Sequence, residues 1–299
     1  MFDTTPILDC AGRELRLDRA RVMGVVNVTP DSFSDGGQHA GVEAAVAHGL
    51  RLVAEGADAL DIGGESTRPG AEPVALADEL ARVIPVIQAL AGQTTVPISI
   101  DTSKPEVMRA AVQAGAGMIN DVAALRAEGA LDAAAALGVP VVLMHMLGEP
   151  QTMQSAPVYD DVVADVHGFL AQRIFACEMA GIDKKRIVID PGFGFGKRLE
   201  HNLALLAALQ RFTELGVPVL AGLSRKRSIG ELTGRNPPAE RVSGSVAAAL
   251  IAVQRGAGIV RVHDVAATVD ALKVWAAVAA QPAAKPRGAP AAPRWPDDD

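Results

Sequence analysis

The sequence predicts an α/β protein with the architecture of a (βα)8 TIM barrel, and three observations lead to that fold class. Short apolar segments alternate with amphipathic helical segments from residue 21 to about residue 279. There are eight such apolar segments, and each is followed by a segment of helical periodicity. The length of this region agrees with the ~250 residues typical of such a barrel. We therefore predict an N-terminal arm at 1–20, a barrel at 21–279 and a C-terminal tail at 280–299.

The predicted strands are runs of Val, Ile, Leu, Ala and Met, as expected for a parallel sheet that is covered on both faces. In chain order they lie at 22–28, 59–62, 96–100, 117–119, 139–144, 186–189, 217–221 and 259–262. An open doubly wound sheet is the alternative, because its site also lies at the carboxyl ends of the strands. We prefer the barrel because the strand count reaches eight and no dinucleotide-binding fingerprint follows the first strand.

The predicted helices return the chain from the carboxyl end of each strand to the start of the next. Pro105 suits the first turn of a helix, where its missing N–H is not needed. Pro237 and Pro238 break the helical region that follows the seventh strand. The predicted helices lie at 42–53, 76–87, from 105 onward, 129–137, 158–180, 199–209, up to 256 and at 265–278.

The two flanks differ from the barrel in composition. Residues 1–20 read as a short hairpin or arm that precedes the first strand. The tail from Gln281, QPAAKPRGAPAAPRWPDDD, is rich in Pro and Ala and ends in three Asp residues, so we expect it to be disordered.

Composition and charge exclude several classes of protein. The chain has a formal charge of -7 and a pI near 5.4, which argues against non-specific nucleic-acid binding. Its two cysteines, Cys10 and Cys177, are far apart and lack metal-ligand spacing, which favours a reduced cytoplasmic setting. The N-terminus MFDTTPILDC does not resemble a signal peptide, and no apolar run is long enough to predict a membrane span.

Polar residues stand at the carboxyl end of every predicted strand, and in a barrel these ends share one face. Any one of them could instead cap a helix, but their occurrence at all eight strands favours a common site. The carboxylates and amides suit the N–H donors of a planar heterocycle, and the arginine with the last histidine suits an anion. The strand-end residues are Asn27, Asp61, Asp101, Asn120, His145, Asp190, Ser224 with Lys226, and Arg261 with His263.

Three loops at this face carry ligand-binding chemistry. The loop TPDSFSDGG after the first strand is polar and without periodicity, so it can fold over whatever Asn27 contacts. The loop GGESTRPGA offers Arg68 as a fork for phosphate or carboxylate. The PGFGFGK segment does not match a nucleotide-binding loop, so we interpret its glycines as room for a flat ligand, with Phe193 or Phe195 over it.

Eight motifs that follow one another along the chain resemble those of the dihydropteroate synthase family. They are NVTPDSFSDGG, DIGGESTRPGA, SIDTSKPEV, MINDV, LMHMLGEPQTM, IDPGFGFGK, GLSRKRSIGELTG and RVHDV, and they cover about residues 21–277. The resemblance implies a TIM-barrel homodimer of the folate pathway. It also implies a transferase that joins 4-aminobenzoate to 6-hydroxymethyl-7,8-dihydropterin diphosphate in the presence of Mg2+ and releases diphosphate.

The resemblance also implies roles for individual residues. Asn27 would contact Mg2+ and diphosphate, and Arg261 with His263 would anchor the diphosphate. Ser224 and the start of the next helix would lie near the aminobenzoate carboxylate, although the group that contacts it stays open. The pterin-binding residues would be Asp101, Asn120, Asp190 and Lys226, with Asp61 and Met144 in the same pocket. The two loops that close over the aminobenzoate would contribute Phe33, Ser34, Asp35, Thr67, Arg68 and Pro69.

Two other functions remain open from the sequence. A corrinoid-linked methyltetrahydrofolate methyltransferase has a related pterin-binding barrel but would not need the Arg261–His263 pair or the TPDSFSDGG loop. A pterin-binding protein without catalytic activity is the other alternative. Five intact residues argue against it: Asn27, Arg68, Lys226, Arg261 and His263.

Overall fold

The computed structural model describes residues 5–28, 37–66, 70–148, 153 and 157–281. Its strands are β1 (Ile7–Cys10), β2 (Arg13–Arg16), β3 (Arg21–Asn27), β4 (Ala59–Gly63), β5 (Ile98–Asp101), β6 (Met118–Asp121), β7 (Val141–Met144), β8 (Ile187–Asp190), β9 (Leu220–Ala221) and β10 (Ile259–Val262). Its helices are α1 (Gly37–Ala54), α2 (Leu76–Ala91), α3 (Pro105–Ala114), α4 (Ala130–Leu137), α5 (Val162–Met179), α6 (Leu199–Ala207), α7 (Gln210–Thr213), α8 (Arg227–Thr233), α9 (Val242–Gln254) and α10 (Val265–Ala279).

The strands from β3 to β10 form one parallel sheet that curves into a barrel. Their spatial order is β8-β7-β6-β5-β4-β3-β10-β9, so neighbours in the chain are neighbours in the sheet. The ring is completed by a parallel bridge between Ile189 and Val219, next to a hydrogen bond of 3.0 Å from Ile189 N to Pro218 O. The barrel prediction is therefore confirmed. A doubly wound sheet is excluded because the strand order never reverses.

Two apolar layers hold the barrel. The outer layer packs one face of each strand against the surrounding helices, and it includes Val26, Ile62, Ile100 and Leu143. The inner layer fills the amino-terminal half of the barrel, as strand alternation requires. It consists of Leu8, Cys10, Leu15, Met23, Ala59, Met118, Val142, Val188, Leu220 and Ile259.

The N-terminal hairpin closes the amino-terminal end of the barrel. Strands β1 and β2 pair in antiparallel register, and Leu8, Cys10 and Leu15 contribute to the inner layer. The backbone of Cys10 approaches the start of β6 so closely that a Cβ atom on Gly117 would lie 2.2 Å from Cys10 O. The hairpin therefore seals the end of the barrel opposite to the carboxyl ends of the strands.

Several element boundaries differ from those predicted, for local reasons. Strands β5 and β9 are shorter than expected, and β5 begins directly after Pro97, which cannot donate a ladder hydrogen bond. Helix α5 begins at Val162 because Asp161 caps it, accepting hydrogen bonds from Val163 N at 2.9 Å and Ala164 N at 3.1 Å. Most of the tail predicted to be disordered, residues 282–299, lies outside the described residues.

Candidate active site

The inward-facing residues of the strands change from apolar to polar within two positions. Ala59 precedes Asp61 and Val188 precedes Asp190, and successive residues of the same parity share a face. The same alternation places Asp101, Asn120, Met144 and Arg261 at the carboxyl-terminal mouth. Strand alternation therefore explains those members of the predicted polar ring that lie within the strands.

Arg261 joins two carboxylates of this ring. Its Nε lies 2.6 Å from Oδ2 of Asp61, and its Nη2 lies 2.8 Å from Oδ2 of Asp101. Asn120 Nδ2 also donates to Oδ2 of Asp61, at 3.0 Å. Asp61 is fully buried and Arg261 is about one-fifth exposed, so the guanidinium connects the barrel interior to the mouth.

The charges in this cluster alter the acidity of its members. Burial raises the pKa of Asp101 to about 7; Arg261 opposes this rise, while Asp61 adds to it. Burial lowers the pKa of Arg261, but Asp61 and Asp101 raise it by more, so the guanidinium stays protonated. Two carboxylates therefore share one permanent cation, and Asp101 titrates near neutral pH.

Asp190 and Lys226 form a second group on the neighbouring side of the mouth. Oδ1 of Asp190 accepts a hydrogen bond from Gly192 N at 2.7 Å, and the Lys226 ammonium donates to the carbonyl oxygen of Phe193. Burial raises the pKa of Asp190, and Lys226 counteracts it. Burial lowers the pKa of Lys226 to about 8, with Asp190 opposing the shift. This pair can accept and donate hydrogen bonds along one edge of a flat ligand.

Gly222 leaves space between the two groups. A Cβ atom at this position would lie 3.7 Å from Oδ2 of Asp190 and 3.9 Å from Cβ of Arg261. The glycine thus lies between the carboxylate of one group and the arginine of the other, where a ligand could contact both.

Ser224 orients His263. The Ser224 hydroxyl oxygen accepts from His263 N at 3.1 Å and lies 3.0 Å from His263 Nδ1. When the hydroxyl donates to an unprotonated Nδ1, the proton of the neutral imidazole resides on Nε2. Ser224 is buried, and its hydroxyl holds the histidine in this orientation.

Three residues that the sequence places near the mouth lie in different surroundings. The ring of Phe193 is fully buried in the outer layer, and its carbonyl oxygen accepts a hydrogen bond from Lys226. The ring of Phe195 is the one at the mouth, with Lys226 Nζ 4.2 Å from its centroid. His145 is buried, and its Nδ1 lies 2.8 Å from Lys197 Nζ.

Lys197 is a buried residue that the sequence reasoning did not single out. Its ammonium contacts the His145 ring and the carbonyl oxygens of His145 and Phe195, at 3.3 and 3.0 Å. Burial lowers the pKa of Lys197 well below its usual range. Burial, followed by the charge of Lys197, lowers the pKa of His145 to about 3. The pair therefore ties the loop after β7 to the loop after β8.

An apolar wall lies beside the mouth, and only its member Met144 was named from the sequence. It is formed by Met144, Met146 and Met153, with Val122 and Phe195 packed against them. The alternating methionines of the LMHM segment were the available signal, since flexible thioethers suit irregular apolar contacts. An apolar wall of this kind can pack against one face of a planar ligand ring.

Asn27 occupies the end of β3, where its exposed side chain lies beside the end of β4. Across the described parts of the chain, no three His, Cys, Asp or Glu side chains converge as a metal site. Mg2+ is commonly bound by only one or two protein oxygens together with substrate phosphates and water. The Asn27 amide oxygen fits that mode. The predicted loop residues Phe33, Ser34, Asp35, Thr67, Arg68 and Pro69 lie outside the described residues.

Comparison with known proteins agrees with this geometry. Residues 23–263 match the family described as pterin binding enzyme. The dihydropteroate synthase of Escherichia coli K12 is 53% identical over 263 residues, covering 88% of this chain and 93% of that protein. This chain belongs to the dihydropteroate synthase family.

Solved structures of other family members superpose on the whole barrel. Dihydropteroate synthase from Xanthomonas albilineans with 4-aminobenzoic acid is 72% identical, with a TM-score of 0.89, and covers 93% of this chain and 100% of its own. The enzyme from the same organism in complex with 7,8-dihydropteroate is 70% identical, with a TM-score of 0.85 and the same coverage. Within the described residues, no helix is long and apolar enough to cross a bilayer.

Proposed function

We propose that this protein is a folate-biosynthesis transferase. It condenses 6-hydroxymethyl-7,8-dihydropterin diphosphate with 4-aminobenzoate and gives 7,8-dihydropteroate and diphosphate. The observation that carries the proposal is the gathering of Asp101, Asn120, Asp190, Lys226 and Arg261 at one barrel mouth. Membership of the dihydropteroate synthase family supports the same reaction.

The pterin is recognised by the acceptors and donors of the mouth. Asp101, Asn120 and Asp190 supply oxygens for the ring N–H groups, and Lys226 donates to a ring acceptor. The apolar wall of Met144, Met146 and Met153 covers one face of the pterin ring system. Asp61 contributes indirectly, because its carboxylate fixes both Arg261 and Asn120.

The diphosphate is held at the other end of the site. Arg261 uses Nε and one Nη2 proton on carboxylates, which leaves the Nη1 protons and the second Nη2 proton for an anion. His263, oriented by Ser224, offers Nε2–H. Thr67 and Arg68 are assigned to the diphosphate end of the site from their sequence motif.

The reaction needs no protein nucleophile. The bond between the pterin methylene carbon and the bridging oxygen breaks, and its electron pair leaves with the diphosphate. The electron-rich dihydropterin delocalises the resulting cation, and the arylamine nitrogen forms the new C–N bond and then releases a proton. Arg261 and His263 stabilise the departing charge, and Asp101 with Asp190 stabilise the cation.

The remaining assignments rest on the resemblance to the family. Mg2+ is assigned to the Asn27 amide oxygen together with the diphosphate, where it would neutralise charge on the leaving group. Phe33, Ser34, Asp35 and Pro69 are assigned to loops that exclude water during the reaction. We further infer a cytoplasmic homodimer, with an arm at 1–20, a barrel at 21–279 and a tail at 280–299.

Diphosphate release from the purified protein tests the function. The pterin diphosphate and Mg2+ are supplied with and without 4-aminobenzoate, and dihydropteroate is followed by mass spectrometry. Release that depends on aminobenzoate and yields product supports the transferase. Pterin binding without release or product would instead indicate a binding protein.

A further inference from the structure

The loop after β8, residues 191–198, carries the ring of Phe195 between two glycines. Gly194 and Gly196 have φ angles of +81° and +64°, in the left-handed region that favours glycine. Glycine restricts the backbone less than any other residue, so the conformation of this segment depends on contacts that other groups make with it. The position of the Phe195 ring is therefore set from outside the segment.

Lys197 makes such a contact with Phe195 itself. Its Nζ donates to the carbonyl oxygen of Phe195 at 3.0 Å and to that of His145 at 3.3 Å, and it lies 2.8 Å from Nδ1 of His145. Lys197 is only 3% exposed, so water does not compete for these contacts. The side chain therefore joins the backbone of Phe195 to His145 in the interior.

His145 is a fixed point for this connection. Its backbone N–H donates to the carbonyl oxygen of Asp190 at 3.0 Å. Its ring packs edge-on against Phe169 of α5, with the ring centroids 4.9 Å apart. A Cβ atom on Gly192 would overlap the carbonyl oxygen of His145, so the two loops pack closely there. Lys197 thus attaches Phe195 to a residue that strand β8 and helix α5 hold in place.

The ring of Phe195 contacts two parts of the proposed pterin site. It packs against the apolar wall of Met144, Met146 and Met153. Its centroid lies 4.2 Å from Nζ of Lys226, and such an attraction depends on the distance and orientation of the ring. A shift of the Phe195 backbone would therefore move both an apolar surface and the neighbour of a group that binds the pterin.

We propose that Lys197 is a positioning residue for the pterin ring, acting through the backbone of Phe195. It fixes the carbonyl group of Phe195 to His145, and Phe195 in turn presents its ring beside Lys226. This inference rests on the proposed function, because it assumes that a pterin binds at the barrel mouth.

Steady-state kinetics of Lys197→Met test the proposal. Methionine is flexible and apolar, so it can fill the buried space without bonding to Phe195 or His145. We expect KM for the pterin diphosphate to rise about tenfold, comparable to the loss of one aromatic contact with a heterocycle. We expect kcat to stay within about twofold of wild type, because the contact serves the bound substrate and the transition state alike. Partial unfolding would instead lower kcat at an unchanged KM, and that result would overturn the proposal.

Equilibrium binding of 6-hydroxymethyl-7,8-dihydropterin tests the route through Phe195. Phe195→Ala and Lys197→Met should each weaken binding about tenfold, and Lys197→Met should add less than about twofold in the Phe195→Ala background. A full further loss in that background would overturn the role of Phe195. Lys185→Met makes the same change on an exposed lysine before β8 and should bind the pterin like wild type. If Lys197→Met does not fold, Lys197→Gln, which is one atom shorter than lysine, provides the same comparison.

The outcomes separate this inference from the proposed function. If wild type forms dihydropteroate and Lys197→Met binds the pterin equally well, the role of Lys197 is overturned and the function stands. A wild-type protein that neither binds the pterin nor forms product would overturn the proposed function, and this inference with it.

Discussion

Arg261 Nε lies 2.6 Å from Oδ2 of Asp61, and this contact joins the last barrel strand, β10, to β4 across β3. Asp61 is fully buried, so the arginine neutralises a charge that water cannot reach. The same guanidinium still has protons for an anion at the mouth. One residue thus couples the stability of the barrel interior to the binding of the leaving group.

Replacing Arg261 should therefore impair activity even when charge is kept. Arg261→Lys retains a cation but not the fork that spans Asp61 and Asp101. We expect kcat/KM to fall roughly 10- to 100-fold, the equivalent of about 1.5 to 3 kcal/mol for a charged hydrogen bond. Steady-state diphosphate release measures this, and a value within twofold of wild type would refute the assignment.

Arg261→Ala should combine lost activity with lost stability, because it leaves the Asp61 carboxylate buried without its cation. Removing one partner of a buried ion pair typically costs about 3–5 kcal/mol. Urea denaturation should show this loss, while circular dichroism below the transition should remain that of the wild-type barrel. Unchanged stability would mean that Asp61 is neutralised by another group.

Asp101 should make the stability of the unliganded protein depend on pH. Its pKa is raised from 3.8 to about 7, so the folded state binds more protons than the unfolded state between these values. Stability should therefore fall as pH rises from about 4 to about 7, and then no further from this group.

Thermal unfolding of wild type and Asp101→Asn at several pH values isolates this contribution. At about pH 4 and below the two should have similar Tm values, because Asp101 is then largely protonated in both the folded and the unfolded state. Between about pH 4 and pH 7 the Tm of wild type should drop relative to Asp101→Asn, by about 2–4 °C for each kcal/mol, and the difference should stay constant above pH 7. A Tm difference that does not vary with pH would contradict the raised pKa of Asp101.

Lys226 should set the alkaline limit of activity. Its pKa is lowered to about 8, so above that pH the free enzyme loses the positive charge facing Asp190. The profile of kcat/KM should fall above about pH 8, with a slope of one proton. Lys226→Arg stays charged and should remove this limb, at a lower overall rate. If kcat/KM of Lys226→Arg still falls above pH 8, the titrating group is not Lys226.

Gly117→Ala should test the seal formed by the N-terminal hairpin. The added Cβ would lie 2.2 Å from Cys10 O, so either the hairpin or the start of β6 must move. We expect this to lower the free energy of unfolding by about 1–3 kcal/mol. Gly168→Ala is the control, since its Cβ would meet nothing within 4 Å inside α5. That change should stabilise by about 0.5–1 kcal/mol. Equal effects on urea denaturation would argue against the close packing of the hairpin.

The fold and most of the polar ring could be predicted because both depend on local patterns. Alternation along each strand fixes which residues face inward, so Asp61, Asp101 and Asp190 could be placed from the sequence. The starts of β5 and β9 were less predictable, since the hydrogen bonds of neighbouring strands decide where pairing begins.

The residues that could not be predicted depend on contacts between distant parts of the chain. His145 follows β7 directly, but its direction is set by Lys197, 52 residues away. Phe193 and Phe195 are equivalent in the GFGFG pattern, and only the packed loop shows which ring is buried. The Lys104–Glu65 pair spans 39 residues and has no periodic signature.

A single-turnover experiment with enzyme in excess tests the central claim most directly. Diphosphate and dihydropteroate are quantified from the same quenched samples, for wild type and for Arg261→Lys. The account predicts equal amounts of the two products in wild type, with diphosphate appearing no later than dihydropteroate, and both slowed together in the variant. Dihydropteroate that appears before diphosphate, or a variant as fast as wild type, would contradict it.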